Sequence, residues 1–246
     1  MSVVSNGRVT MASRVEGRDS LDYFPSPPWW GRALGEALDR LALPGRASAE
    51  GPAAGEGHLA HGLGDAFDQV LASDIHAYPR RPTAANVHWA RATQDYLHPG
   101  RSPSQRAPWW GSGADWVVTN PPFADLTEPF IRRGVGRGRY GCAVLLQLGL
   151  LEGKGRHRLF ADCGLYATVV LPRKGSGLRK GLWQPGLSTA TRYAWFIFAN
   201  PAHVEGWNGF DGEARQIWID PDASARLTRP SDAAFAGLLM PGRAAA

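Results

Sequence analysis

Hydrophobic and polar positions fall into short blocks that switch between helical and strand periods along the chain. Trp30, Leu34, Leu38 and Leu41 recur at helical spacing after Pro27-Pro28, and Pro44-Gly45 ends the run, so the first element predicted is an amphipathic helix. Ala47 to Gly51 reads as a strand of poor propensity running into Pro52-Ala-Ala-Gly-Glu-Gly57, and a short helix is expected from Gly57 to about Asp65. Gln69–Ser73 reads as a short buried strand, Asn86–Trp89 as another, and Asp115–Thr119 as a fourth. A helix over Ala124–Val135 turns Leu126, Phe130 and Ile131 inward. It is followed by a strong strand at Ala143–Gln147, a short helix at Arg156–Cys163, and strands at Tyr166–Leu171 and Tyr193–Phe198. This alternation predicts an α/β fold with a mostly parallel seven-stranded sheet and helices on both faces. The last two strands have no helical pattern between them and predict an antiparallel hairpin at the sheet's edge. Residues 1–19 have no sustained period and read as a leader, 20–225 as a single domain, and 226–246 as a C-terminal tail.

Composition narrows the class. A hydrophobic content of 43% over 246 residues is enough for a real core. There is no apolar run of about 18 residues and no basic-then-apolar N-terminal pattern, so neither a membrane span nor secretion is expected and the location expected is cytoplasmic. Cys142 and Cys163 have no metal-ligand spacing and read as buried thiols, so no metal site is expected. The net charge of +5 is unevenly spread: Pro129 to Lys180 holds eleven Lys and Arg against Glu152 and Asp162 (+9), which leaves −4 elsewhere. A basic segment on an otherwise acidic chain suits a polyanionic partner. With 24 Arg and 3 Lys, an Arg-rich surface without a partner would give the same excess.

Four stretches carry candidate chemistry. The glycines of Pro52–Gly57 allow a tight strand-to-helix turn, the place where doubly wound folds hold a nucleotide-like cofactor, although a simple turn would read the same way. Asp74 ends the second strand and could accept from both hydroxyls of a ribose, or serve as a surface acid or cap. Asp95, in Gln94-Asp95-Tyr96-Leu97 after the third strand, could accept from an exocyclic amine, or be a solvated loop acid. Most specific is Asn120-Pro121-Pro122-Phe123 after the fourth strand. The prolines remove two donors and restrict the local backbone, and the residue before a proline is driven extended, so Asn120 is held rigidly. Its side-chain oxygen and the Pro121 carbonyl could accept both hydrogens of an amino group on an aromatic base, freeing the nitrogen lone pair, while Phe123 stacks on the base.

Asn-Pro-Pro-Phe at this position resembles the catalytic motif of the S-adenosylmethionine-dependent amino methyltransferases, the N6-adenine DNA enzymes in particular. In that light Pro52, Ala53, Gly55 and Gly57 resemble the family's cofactor turn, Asp74 and Asp95 its two cofactor acids, and Asp22-Tyr-Phe-Pro-Ser-Pro-Pro28 the upstream motif that holds the cofactor's methionine end, through Tyr23, Phe24 and Ser26. The stretches Leu151-Glu-Gly153, Ser188-Thr189 and Tyr193-Ala-Trp-Phe are similar to compact phage and prophage members. The resemblance covers roughly residues 20–200 and implies a Rossmann-like class I methyltransferase fold, S-adenosylmethionine as cofactor, DNA as partner, and direct in-line methyl transfer to the N6 of adenine with Asn120, Pro121, Pro122 and Phe123 at the reacting nitrogen. Relatives with the same Asn-Pro-Pro act on RNA bases or on a protein glutamine, and a catalytically degenerate DNA-binding fold is a further alternative. Arg173, Lys174, Arg179 and Lys180 in the loop 172–189 are the expected phosphate contacts, with Trp109 and Trp110 in the loop 98–113 offering stacking surfaces. The sequence departs from the family at one place. The acid that relatives carry directly before the proline of the cofactor turn is Gly51 here, and Glu50 lies one residue earlier. Either a bulged strand end lets Glu50 serve, or that contact with the cofactor is weakened.

Overall fold

The computed structural model describes residues 23–98, 113–179 and 182–237, with only the backbone of Ala124 and Arg179. Trp109, Trp110, Lys180 and the leader lie outside the described residues, as does the side chain of Arg179.

The first helix, α1 (Pro28–Arg40), begins on a proline, where a missing N–H costs nothing, and buries its Trp29, Leu34 and Leu38 stripe completely. It stops as expected before Pro44. Strand β1 (Ser48–Pro52) forms despite its weak propensity because it is central: β2 (Gln69–Ser73) pairs with it on one side and β4 (Trp116–Thr119) on the other, both parallel. Helix α2 (His58–Leu63) lies between β1 and β2 in the chain, and β3 (Val87–Trp89) pairs parallel with β2. Helix α3 (Thr127–Arg137) starts later than expected because a 3-10 turn occupies Ala124–Leu126. Strand β5 (Gly141–Gln147), helix α4 (Arg156–Cys163) and strand β6 (Leu165–Val170) follow.

The basic loop is a small hairpin, β7 (Gly177–Arg179) with β8 (Leu182–Gln184), anchored where Gly175 O accepts from the indoles of Trp29 and Trp183. Strand β9 (Tyr193–Ala199), the most β-prone run, is buried along its whole length and lies antiparallel between β5 and β6. The expected antiparallel pair of late strands is therefore β6 with β9. An eighth strand, β10 (Arg215–Trp218), adds parallel outside β6, giving the order β10-β6-β9-β5-β4-β1-β2-β3. β10 escapes sequence reading because only Ile217 of its four residues is buried, as suits an edge strand.

Two apolar layers enclose the sheet. One joins α1, α2 and the inward residues Ala49, Trp116, Val118 and Trp195; the other joins α3, α4 and the opposite residues Val117, Cys142, Val144 and Phe196. One expectation needs correcting. Residues 226–237, read from the sequence as part of a C-terminal tail, pack on the domain: helix α5 (Ala223–Leu227) and a 3-10 turn at Pro230–Ala234 close over α1 and α2, and Phe235 is fully buried. The attachment joins the single buried Phe235 ring to an ionic anchor, so no periodicity announces it. Buried Arg32 of α1 makes a two-pronged pair with Asp232 at 2.7 and 2.8 Å. Burial alone would raise the Asp232 carboxyl, but His61, Arg32 and the Arg229 amide hold it down at about 2.

Candidate active site

The carboxyl ends of β1, β2, β3 and β4 open onto one cavity of about 340 Å³. Strand β4 ends where Asn120 meets Pro121, which has no N–H to continue the ladder. Asn120 Nδ2 donates to Ser26 Oγ at 3.0 Å and to the Phe24 carbonyl at 3.3 Å. Both hydrogens of the amide are thus committed to the segment before α1, which fixes the side chain's rotation. Its Oδ1 is buried and has no hydrogen-bond partner among the described residues. A buried acceptor left in this state costs about 1–3 kcal/mol, so it marks a position for a donor that comes from outside.

The turn after β1 is built as its glycines suggested. Gly55 has φ +57° and Gly57 φ +99°, and a Cβ on Gly55 would lie 2.7 Å from the Tyr23 ring. Ala53 also takes a left-handed φ of +58°, which costs a non-glycine residue about 1 kcal/mol. The Asp74 carboxylate ties the turn to β2, accepting from the amides of Gly55 at 2.8 Å and His76 at 2.9 Å. Each oxygen has a second lone pair free for another donor. Asp95 accepts from the amides of Leu97 and His98 through one oxygen. Its slight burial would raise the carboxyl, and the His98 and Leu97 amides more than offset that and lower it.

Of the expected cofactor residues, Tyr23, Phe24, Ser26, Ala53, Gly55, Asp74 and Asp95 line the cavity. Pro52 and Gly57 do not: Pro52 pairs with Ser73 and its carbonyl accepts the Thr119 hydroxyl, while Gly57 backs onto Trp89 and Thr83. Asn120 and Pro122 line the cavity; Pro121 is buried behind it, and Phe123 meets Phe24 edge to face at 5.3 Å. Arg173 and Lys174 are exposed, beside the hairpin rather than in the cavity.

Sequence reading missed further wall residues, among them His58, Ile75, Tyr78 and Tyr96. Ile75 is 64% exposed, an apolar side chain next to the Asp74 carboxylate, and its place directly after the strand-ending acid was the available signal. Tyr78 stacks on Tyr23 at 4.8 Å and so reaches the cavity from a loop without periodicity.

The structure also excludes one of the two alternatives for Glu50. The β1–β2 register runs without a bulge from Ser48↔Gln69 to Pro52↔Ser73, so Glu50 faces the layer opposite Ala49. There it accepts from Arg137 Nε of α3 at 2.9 Å, only 3% exposed and outside the cavity wall. Burial raises its carboxyl despite Arg137 and Arg133. Glu50 is part of the core's support and does not stand in for the missing acid.

The cavity suits a ligand made of a flat ring, a sugar and an amino-acid end. It has apolar walls, the Asp74 carboxylate directly after β2 and the Asp95 carboxylate in the loop after β3, and buried polar atoms on His58, Gln94 and Asn120 without a partner among the described residues. Those residues fit S-adenosylmethionine.

No family model matches the chain, and no curated protein does. Among solved structures it is similar to a putative class I S-adenosylmethionine-dependent methyltransferase from Listeria monocytogenes, with 12% identity, a TM-score of 0.54, and coverage of 85% of this chain and 71% of that one. Weaker likenesses include a putative RNA methyltransferase from Pyrococcus horikoshii (13% identity, TM-score 0.46, 69% of this chain and 81% of that one). A type I restriction-modification methyltransferase subunit from Streptococcus thermophilus is similar at 13% identity and TM-score 0.46, over 72% of this chain and 44% of its own. The likeness to the Listeria structure establishes the fold, a Rossmann-like α/β sheet of the class I methyltransferase kind.

Proposed function

We propose that this chain transfers a methyl group from S-adenosylmethionine to the exocyclic N6 of adenine in DNA. The observation that carries the reading is Asn120: its amide hydrogens are both spent on Ser26 and Phe24, and its oxygen is buried at the cavity wall without a partner among the described residues. An aromatic amine is the donor that fits such an acceptor. By taking a hydrogen bond from the amine, Asn120 draws the nitrogen out of conjugation with its ring and turns the lone pair outward. The bound cofactor supplies a sulfonium methyl, an electrophile that needs no enzyme nucleophile. The buried Cys142 thiol, its pKa raised by burial, fits this absence of covalent catalysis. What the protein contributes is orientation and a preorganised acceptor. Phe24 and Phe123 form an aromatic edge beside Asn120 against which a base extruded from the duplex could lie.

Three features favour nucleic acid over a protein glutamine: the +9 segment, the exposed Arg173 and Lys174, and that aromatic pair. The test is nucleoside mass spectrometry on unmethylated plasmid and total RNA after incubation with S-adenosylmethionine. N6-methyladenine in DNA, absent with Asn120→Ala, is the expected result. A methylated base in RNA alone would move the reading to the RNA enzymes, and no methylation of either would overturn it.

A further inference from the structure

Besides Asn120 and Gln94, His58 brings to the cavity an acceptor without a partner among the described residues. This residue opens α2 immediately after the glycine turn, is 3% exposed, and forms part of the cavity wall. Its Nε2 lies 3.1 Å from the Phe235 carbonyl. A carbonyl can only accept, so Nε2 carries the proton. Nδ1 is then a bare lone pair, and it is buried with no partner among the described residues. Burial, with Arg81 nearby, lowers the His58 pKa to about 4 against the opposing pull of Glu56 and the Phe235 carbonyl, so the ring is neutral at pH 7 and cannot serve as a second donor. The ring is clamped edge-on by Phe235 at 5.1 Å, and Phe235 is held by the Arg32–Asp232 anchor of the C-terminal segment. A side chain fixed this firmly, with its one acceptor unused, is arranged for an incoming donor.

The donors on the proposed cofactor can be apportioned. Asp74, directly after β2, and Asp95, in the loop that follows β3, have lone pairs suited to ribose hydroxyls and a purine amine. The α-ammonium remains, and β1 offers it no carboxylate, because Gly51 has no side chain and Glu50 is turned away to Arg137. Resting on the cofactor reading above, we propose that His58 Nδ1 accepts from the α-ammonium of the cofactor's amino-acid end and so replaces the missing acid of β1. A neutral acceptor in place of an anion makes this pocket select the ammonium by a directed hydrogen bond rather than by charge. It also makes the C-terminal segment, through Phe235, part of the cofactor site.

Two amides separate the His58 nitrogens. In His58→Gln the amide N–H can still reach Phe235 O while the acceptor at the Nδ1 position is gone. In His58→Asn the side-chain oxygen takes the Nδ1 position while the bond to Phe235 is lost. Calorimetry would compare S-adenosylhomocysteine with its analogue lacking the α-amino group. The wild type is expected to prefer the amine by about tenfold or more, the scale of a hydrogen bond to a charged group. His58→Gln should lose most of that preference while binding the deaminated analogue within about twofold of wild type, and His58→Asn should keep it. His58→Phe is a second variant without the acceptor should His58→Gln fail to fold. Three results would overturn the proposal: no preference in the wild type, an unchanged preference in His58→Gln, or an equal loss for both ligands, which would mark His58 as packing alone. Binding of neither ligand by the folded wild type is a different failure, because it would remove the cofactor reading itself.

Discussion

Glu50 and Asn120 stand on adjacent parallel strands, each a polar side chain drawn out of water, and they are finished in opposite ways. Glu50 is closed: its carboxylate takes the Arg137 guanidinium and faces the α3–α4 layer. Asn120 is open: its donors are used on Ser26 and Phe24, and its buried acceptor has no partner among the described residues. A polar group whose partners all come from its own chain supports the fold, whereas one oriented by its chain and left short of a partner is set for a ligand. Sequence position alone suggests the reverse ranking for Glu50, since it lies nearest the place where an acid is expected.

The largest break in this comparison should come at Asn120. Asn120→Ala is expected to lower turnover by about 10²-fold or more, about 3 kcal/mol of activation energy, the scale of one preorganised polar contact. Its melting temperature should fall only modestly, because losing the bonds to Ser26 and Phe24 is partly offset by removing the buried, unsatisfied Oδ1. A turnover loss under about fivefold would mean that Asn120 is not the acceptor for the amine.

Arg137→Ala should do the opposite. It leaves Glu50 buried without its cation, a loss of about 2 kcal/mol in unfolding free energy by chemical denaturation. Glu50 can escape part of that cost by taking a proton, since burial already raises its carboxyl. Cofactor affinity should be unchanged, because neither residue lines the cavity. A change of affinity without a change in stability would reverse the roles given to the two strands. Next in size is Ser26→Ala, which removes one of the two acceptors that fix the Asn120 amide; about fivefold in kcat is expected, near 1 kcal/mol.

These contrasts also show what could be read from the sequence. Element types were legible wherever a period was sustained: Gln69–Ser73 and Arg156–Cys163 fall on their expected bounds. Asn120 was legible because two prolines leave little doubt about where a strand ends and how its last side chain is held. Four features were not, each for a physical reason. β10 and the segment 226–237 are held by ladder bonds and by Arg32–Asp232, which leave no hydrophobic period. The direction of Glu50 depends on strand register, since one residue of slip turns a side chain to the other face. His58 reads as an ordinary first residue of a helix until the fold brings Phe235 O to its Nε2 from 177 residues away.

The smallest predicted effect concerns Gly51, between the two regions. A Cβ there would meet only Val118 O at 3.6 Å and Leu71 O at 3.7 Å, ordinary contact distances, and its φ is not in the left-handed region. Glycine is therefore not required by backbone geometry or by crowding from the protein. Gly51→Ala reduces the freedom of the unfolded chain, so the variant should be stabilised by about 0.5 kcal/mol in chemical denaturation, with cofactor affinity within about twofold of wild type. That result would assign what is unusual about this position to the absent carboxylate alone, a place where Glu50 cannot reach and His58 can compensate. A loss of affinity beyond about fivefold in a stable variant would instead show that the ligand approaches the β1 backbone too closely for any side chain. Gly51 would then belong with Asn120, on the open side of the comparison.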